Sequence, residues 1–176
     1  MKNKAIFMDR DGVINKLINR NGKFQAPYVL SELELFPGVI EAFAQFKKFN
    51  FLTIAVTNQP DVARGWVAKD SVYLINSEIH KLIPLDDIKI CFHVDSDHCL
   101  CRKPMPGMIL EAAAEWKIDM SQSFMIGDRY SDVEAGFRAG CKTVLVGPGD
   151  IQGHFQSPHF RAESLLGCVN FITEKL

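Results

Sequence analysis

Two aspartates, Asp9 and Asp11, flank Arg10 and precede Gly12, directly after the apolar run Ala5-Ile6-Phe7-Met8. Carboxylates two residues apart at the exit of a buried strand repel one another and lose hydration, so the pair needs a cation or a proton. Mg²⁺ suits such hard oxygen ligands and shares its coordination shell with substrate phosphates. In that setting Asp9 can serve as nucleophile and metal ligand. Asp11 can protonate a leaving alcohol and then activate water. A solvated loop with incidental acids is the bland alternative. Calcium loops also contain Asp-x-Asp-Gly, but here Val13 and Arg20 stand where such a loop needs further oxygen ligands.

Three more segments could serve the same chemistry. Thr57-Asn58-Gln59 offers a hydroxyl beside backbone N–H groups, which a transferring phosphoryl oxygen needs, although Thr57 also reads as a strand-end cap. Lys103 can neutralise an anionic centre as a point charge, and Arg102 can grip an anion bidentately. A solvated basic pair before a helix is the other reading. In Gly127-Asp128-Arg129-Tyr130-Ser131-Asp132, Asp128 would complete the Mg²⁺ site. Asp132 would support its shell, orient Lys103, or simply cap a helix as a dipole partner.

These segments need a scaffold that brings them to one edge. Lys4–Met8, 51–56, 87–92, 123–126 and 143–146 read as buried strands, rich in Val, Ile and Phe. Helical patterns lie between them, from Pro37-Gly38 to about Phe49, at Lys69–Leu82, from Pro106 onward, and at 131–139 before Gly140. A weaker helical pattern covers 162–174. Strands alternating with helices imply an α/β, Rossmann-like three-layer domain with a mainly parallel, five-stranded sheet. Such sheets gather ligands at the carboxyl ends of their strands, and each segment above follows a strand.

The 176 residues fit one domain, 1–176. Twenty Lys+Arg against 21 Asp+Glu give a net charge of −1, so no long-range attraction to nucleic acid or an anionic membrane is expected. No basic stripe with interleaved aromatics is visible either, which disfavours a DNA 3′-phosphatase. The first apolar run is too short for a secretion signal or a membrane span, so a cytoplasmic protein is expected, and a monomer.

Of the five cysteines, Cys91, Cys99 and Cys101 crowd together with His93. Three thiolates and one imidazole make a closed tetrahedral Zn²⁺ site, and closed sites are structural. His98 competes with His93 but directly precedes Cys99, and reduced, metal-free thiols are the other alternative. Cys141 and Cys168 sit in apolar surroundings and read as small core residues.

The order of these segments resembles the four motifs of the haloacid dehalogenase (HAD) superfamily of phosphatases, over about residues 5–146. By position, Asp9 matches the nucleophile, Asp11 the general acid/base, Thr57 and Lys103 the phosphoryl-stabilising pair, and Asp128 the metal carboxylate. The Asp11 backbone carbonyl is implied as a further Mg²⁺ ligand. Within the superfamily the chain is similar to the capless branch of heptose 1,7-bisphosphate and histidinol-phosphate phosphatases. The stretches that carry this likeness include Asp9-Arg10-Asp11-Gly12-Val13-Ile14-Asn15, Glu34-Leu35-Phe36-Pro37-Gly38-Val39, Val62-Ala63-Arg64-Gly65 and Cys101-Arg102-Lys103-Pro104.

The resemblance implies no large cap domain, a structural zinc loop, and an open site bounded by a flap at 16–31 and by the cysteine loop. It implies substrate contacts from Arg10, Asn58, Gln59, Arg102 and Arg129, with Arg102 meeting a second phosphate. The implied activity is removal of the 7-phosphate of a sugar-phosphate substrate, a heptose 1,7-bisphosphate, through an aspartyl-phosphate in carbohydrate metabolism. Histidinol phosphate is the alternative substrate, and a zinc-stabilised, non-catalytic binding module the alternative of another class. Val13, Pro60-Asp61 and Arg129 depart from the branch's usual Thr, Ser-Gly and Lys.

Overall fold

The computed structural model describes residues 2–150 and 156–174. Strands β1 (Lys4–Met8), β4 (Phe51–Asn58), β5 (Asp87–Cys91), β6 (Phe124–Arg129), β7 (Lys142–Asp150) and β8 (Phe160–Ala162) form one sheet in the order β5-β4-β1-β6-β7-β8, with every pairing parallel. A separate antiparallel hairpin joins β2 (Ile18–Arg20) to β3 (Lys23–Gln25). The helices are α1 (Val39–Lys48), α2 (Lys69–Leu82), α3 (Gly107–Glu115), α4 (Tyr130–Ala139) and α5 (Cys168–Thr173).

The period of two along β1 builds the layers. Ile6 and Met8 pack with Phe43 and Phe46 of α1, Ile75 and Ile79 of α2, and Ile172 of α5. Ala5 and Phe7 pack with Met108, Ile109 and Ala112 of α3 and Ala135 of α4. Both faces of the sheet are thus covered, which is why the strands read as continuous apolar runs.

The sheet has six strands rather than the expected five. Phe160–Ala162 supplies the edge strand, in a stretch where the sequence pattern suggests only a helix from 162, and that helix is confined to Cys168–Thr173. Three residues at an edge need no two-sided apolar pattern, so the signal is weak. The flap at 16–31 contains the β2–β3 hairpin. Its turn, Asn21-Gly22, has φ of +53° and +82°, the two positive values that a two-residue type I′ turn requires.

The chain lays β1, β4 and β5 in one direction and then crosses back to place β6, β7 and β8 on the other side of β1. The strand order therefore switches at β1, and the crevice beyond its carboxyl end is the expected ligand position. Asp9 lies there.

Candidate active site

β1, β4 and β6 deliver Asp9, Thr57 and Asp128 to the same edge of the sheet. Lys103 comes from the loop after β5 and is 4% exposed. Its Nζ lies 2.9 Å from Asp9 Oδ1 and 2.7 Å from Asp132 Oδ1. Burial alone would push this ammonium down, but Asp132 and Asp9 outweigh it and hold the group above the ordinary lysine value. Asp9 Oδ1 also accepts the Arg10 backbone N–H at 2.8 Å, while Asp9 Oδ2 has no protein donor among the described residues. One carboxylate oxygen is thus held by a backbone N–H and the lysine charge, and the other is open.

Asp132 resolves between its sequence readings. Its Oδ2 accepts the Arg129 N–H at 3.0 Å at the start of α4, and its Oδ1 faces Lys103, so it caps the helix and orients the lysine together. The approach of these loops is tight. A methyl group added to Gly12, whose φ is +98°, would overlap Asp128 Oδ2.

Asp11 is clamped by four side chains. Gln59 Nε2 donates to its Oδ2 at 2.7 Å and Asn15 Nδ2 to its Oδ1 at 2.9 Å. The Thr57 hydroxyl lies 3.4 Å from Oδ2, and the Arg10 guanidinium 2.9 Å away. Arg10 is fully buried and donates a further bond to Asn76 Oδ1 on α2 at 2.7 Å.

Several residues expected to meet substrate have protein partners in this structure. Arg10 is fully buried, and its guanidinium is bonded to Asp11 and Asn76. The Asn58 side chain brackets Lys103, accepting its N–H and donating to its carbonyl, both at 3.1 Å. Arg102 donates to Asp95 at 2.7 Å and points along the cysteine loop, outside the cleft at Asp9. Asn58, Gln59 and Arg129 line that cleft, beside Asp9, Asp11 and Lys103. So do Leu17, Phe24 and Arg64, which were not among the expected site residues. Phe24 sits on the hairpin, and the Asn-Gly turn was the signal that could have placed it.

A metal fits at two places. Asp9, Asp128 and Asp132 each offer a carboxylate oxygen within 4.8 Å of the others, and Asp128 Oδ1 is buried with no hydrogen-bond partner. Burial pushes the Asp9 carboxyl up to about 6 against the pull of Lys103, and burial followed by the Asp9 charge pushes Asp128 up to about 7. Crowded carboxylates that resist ionising are short of positive charge, and an all-oxygen donor set suits Mg²⁺.

The second place is the cysteine loop. Cys101 Sγ lies 3.1 Å from Cys91 Sγ and 3.4 Å from Cys99 Sγ, and His93 Nδ1 lies 3.3 Å from Cys101 Sγ. Four donors around Zn²⁺ at Zn–S of about 2.3 Å would be roughly 3.8 Å apart, so the cluster is close to the required size. The four groups that converge include His93 and leave out His98. Burial pushes the Cys91 and Cys101 thiols up, while at Cys99 hydrogen bonds, first from the Arg102 N–H, outweigh burial and bring the thiol to about 7.

Linkage at the carboxylates gives a testable sign. Asp9 and Asp128 are raised above their ordinary 3.8, so between about pH 4 and 7 the folded protein binds more protons than the unfolded chain. Without magnesium, this contribution to stability is present at low pH and is lost as pH rises through that window. Thermal melts in magnesium-free buffer are expected to show the loss. Added Mg²⁺ should raise Tm more at pH 8 than at pH 5.5, and an equal rise at both would contradict the carboxylate origin.

Fold and site together define a phosphatase-type α/β hydrolase. Residues 100–166 match the family model described as "HAD-hyrolase-like". The D-glycero-alpha-D-manno-heptose-1,7-bisphosphate 7-phosphatase of Campylobacter jejuni is 36% identical over 99% of this chain and 99% of its own. The D-glycero-beta-D-manno-heptose-1,7-bisphosphate 7-phosphatase of Helicobacter pylori is 37% identical over 96% of this chain and 94% of its own. Among solved structures, the D,D-heptose 1,7-bisphosphate phosphatase of B. bronchiseptica, complexed with magnesium and phosphate, superposes with a TM-score of 0.86 at 27% identity, covering 98% of this chain and 99% of that one. The chain belongs to the HAD superfamily, and it is a phosphatase.

Proposed function

We propose that the protein removes the 7-phosphate of a D-glycero-D-manno-heptose 1,7-bisphosphate, as the names of its near-full-length relatives suggest. The observation that carries the chemistry is the convergence of Asp9, Lys103, Asp128 and Asp132 at the carboxyl end of β1. In this reading the open oxygen of Asp9, Oδ2, attacks phosphorus in line while Lys103 and Thr57 steady the phosphoryl oxygens. Asp11 gives its proton to the departing sugar oxygen, and the same carboxylate then takes a proton from the water that cleaves the aspartyl-phosphate. Gln59, Asn15 and Arg10 fix the orientation of the Asp11 carboxyl group. Mg²⁺, held by Asp9, Asp128 and the Asp11 carbonyl, would supply charge neutralisation for nucleophile and phosphate alike.

The protein acts, on this proposal, as a single cytoplasmic domain over 1–176, monomeric, with a small sugar phosphate as its partner. Among the described residues no helix is long and apolar enough to cross a membrane. The test is kcat/KM on both heptose bisphosphate anomers, histidinol phosphate and p-nitrophenyl phosphate. A preference for one heptose anomer is expected. A preference for histidinol phosphate would remove the pathway and leave the chemistry.

Zinc, on the same proposal, is structural and bound by Cys91, His93, Cys99 and Cys101. Metal analysis should find about one zinc per chain. Cys99→Ser is expected to lower zinc content, Tm and turnover together, because Cys101 lies two residues before Lys103. Full turnover in a zinc-free protein would reject this.

A further inference from the structure

The ionic floor of the cleft suits a phosphate, but it gives no role to the apolar side chains beside it. Leu17, Phe24 and Ala26 line the same cleft as Asp9, Asp11 and Lys103. All three belong to the β2–β3 hairpin or directly flank it. Phe24 pairs with Asn19 across the hairpin. Side chains two residues apart on extended chain share a face, so Leu17 and Asn19 of one arm stand with Phe24 and Ala26 of the other. Gln25 also lines the cleft, from between the last two. Leu17 and Ala26 are half-buried, whereas Phe24 is 64% exposed. A lone exposed phenylalanine is common on protein surfaces. This one stands at the rim of a cleft with an ionic floor, beside two further apolar side chains that line it.

The hairpin that presents Phe24 is pinned at both ends. Asn19 Oδ1 accepts the Gly22 N–H at 2.9 Å and closes the Asn21-Gly22 turn. Arg20, on the opposite face from Asn19, pairs with Glu32 and donates to the Ala26 carbonyl at 3.3 Å. Its guanidinium also lies 4.0 Å over the Tyr28 ring. The Tyr28 hydroxyl in turn donates to Asp61 Oδ2 at 2.8 Å. Asp61 follows β4 and itself lines the cleft, so the base of the hairpin is tied to another wall of the same site. A ring with two torsions on an anchored strand loses little freedom when a ligand covers it.

An apolar ring gains nothing against a phosphate dianion, which needs water or cations around it. It gains by covering carbon. A pyranose presents C–H bonds on the faces of its ring and hydroxyls around its edge, so a flat aromatic face can pack on it without stripping the hydroxyls of their partners. We propose that Phe24 is a specificity-determining residue whose ring packs on the C–H face of the sugar in the leaving group, with Leu17 and Ala26 continuing that surface. The hairpin then reads the carbon skeleton, while the strand ends read the phosphate. The proposal rests on the sugar-phosphate reading above and not on a particular heptose anomer.

Phe24→Ala is expected to lower kcat/KM on heptose 1,7-bisphosphate by about ten-fold, mainly through KM, because the sugar loses its apolar cover. Phe24→Tyr keeps the aromatic face and should stay within about three-fold of the parent. A second measurement takes the Ki of inorganic phosphate and of mannose 6-phosphate as competitive inhibitors of p-nitrophenyl phosphate hydrolysis. Phe24→Ala should raise the Ki of the sugar phosphate about ten-fold and that of inorganic phosphate less than about two-fold. Equal shifts would mean that the substitution disturbs the phosphate site, and an unchanged sugar phosphate Ki would mean that the ring touches no sugar. Either result overturns the proposal. So would a Phe24→Tyr enzyme as impaired as Phe24→Ala, or a parent that mannose 6-phosphate fails to inhibit at concentrations where inorganic phosphate does. A parent indifferent to heptose 1,7-bisphosphate, with the two Ki shifts still apart, would sink the heptose reading alone.

Discussion

Asp9→Asn is expected to cut kcat by roughly 10⁴-fold or more on every phosphate ester while the protein stays folded, since removing an attacking group commonly costs that much. The amide keeps the shape of the side chain and can still accept the Arg10 N–H, which bonds Asp9 Oδ1 at 2.8 Å. What it loses is the negative oxygen that forms the covalent intermediate. Folding should even gain slightly at neutral pH, because the carboxyl at this position is pushed up to about 6 by burial and so resists ionisation there. Stopped-flow and steady-state assays beside a thermal melt separate the two effects. Turnover within ten-fold of the parent would show that another group attacks phosphorus.

Lys103→Met should damage both activity and stability. The ammonium sits 2.9 Å from Asp9 and 2.7 Å from Asp132, and all three side chains are nearly excluded from water. Removing it leaves two buried carboxylates without their shared cation, which typically costs about 3 kcal/mol or more, and withdraws a charge worth about 10²–10³ in rate from the phosphoryl oxygens. The loss of stability should shrink as pH falls toward 5, where Asp9 and Asp128 take up protons. Lys103→Arg is not expected to rescue turnover, since a planar fork cannot replace a compact ammonium between two carboxylates. A Lys103→Met protein that melts at the parent temperature at pH 8 would mean that the carboxylates do not rely on this lysine.

Much of this arrangement was legible in the residue order. The core strands announced themselves through Val, Ile and Phe runs because a parallel sheet covered on both faces needs apolar residues at consecutive positions. The acids could be placed because each stands at the end of such a run. The cysteine cluster was legible for a different reason, since thiol and imidazole groups at that spacing have few other uses. The β2–β3 hairpin and the edge strand Phe160–Ala162 were not read, because three-residue strands carry too little periodicity to be distinguished from loops.

Side-chain direction was the other gap. Arg10, Asn58 and Arg102 occupy the expected loops, yet each turns to a protein partner: Asp11 and Asn76, the Lys103 backbone, and Asp95. Sequence position fixes which strand end a residue occupies. It does not fix which of several nearby polar groups will win its hydrogen bonds, since that depends on burial and on distances set by chain segments far away.

The fully buried guanidinium of Arg10 bears on how this protein could be re-engineered. Its bond to Asn76 makes the inner side of α2 a silent support for the proton donor, although no residue of that helix lines the cleft at Asp9. Libraries aimed at new specificities can therefore diversify the hairpin around Phe24 freely, whereas random replacement at Asn76 would inactivate clones for reasons unrelated to recognition. A screen that scores only proximity to the cleft would discard the helix as irrelevant and then misattribute those failures to folding.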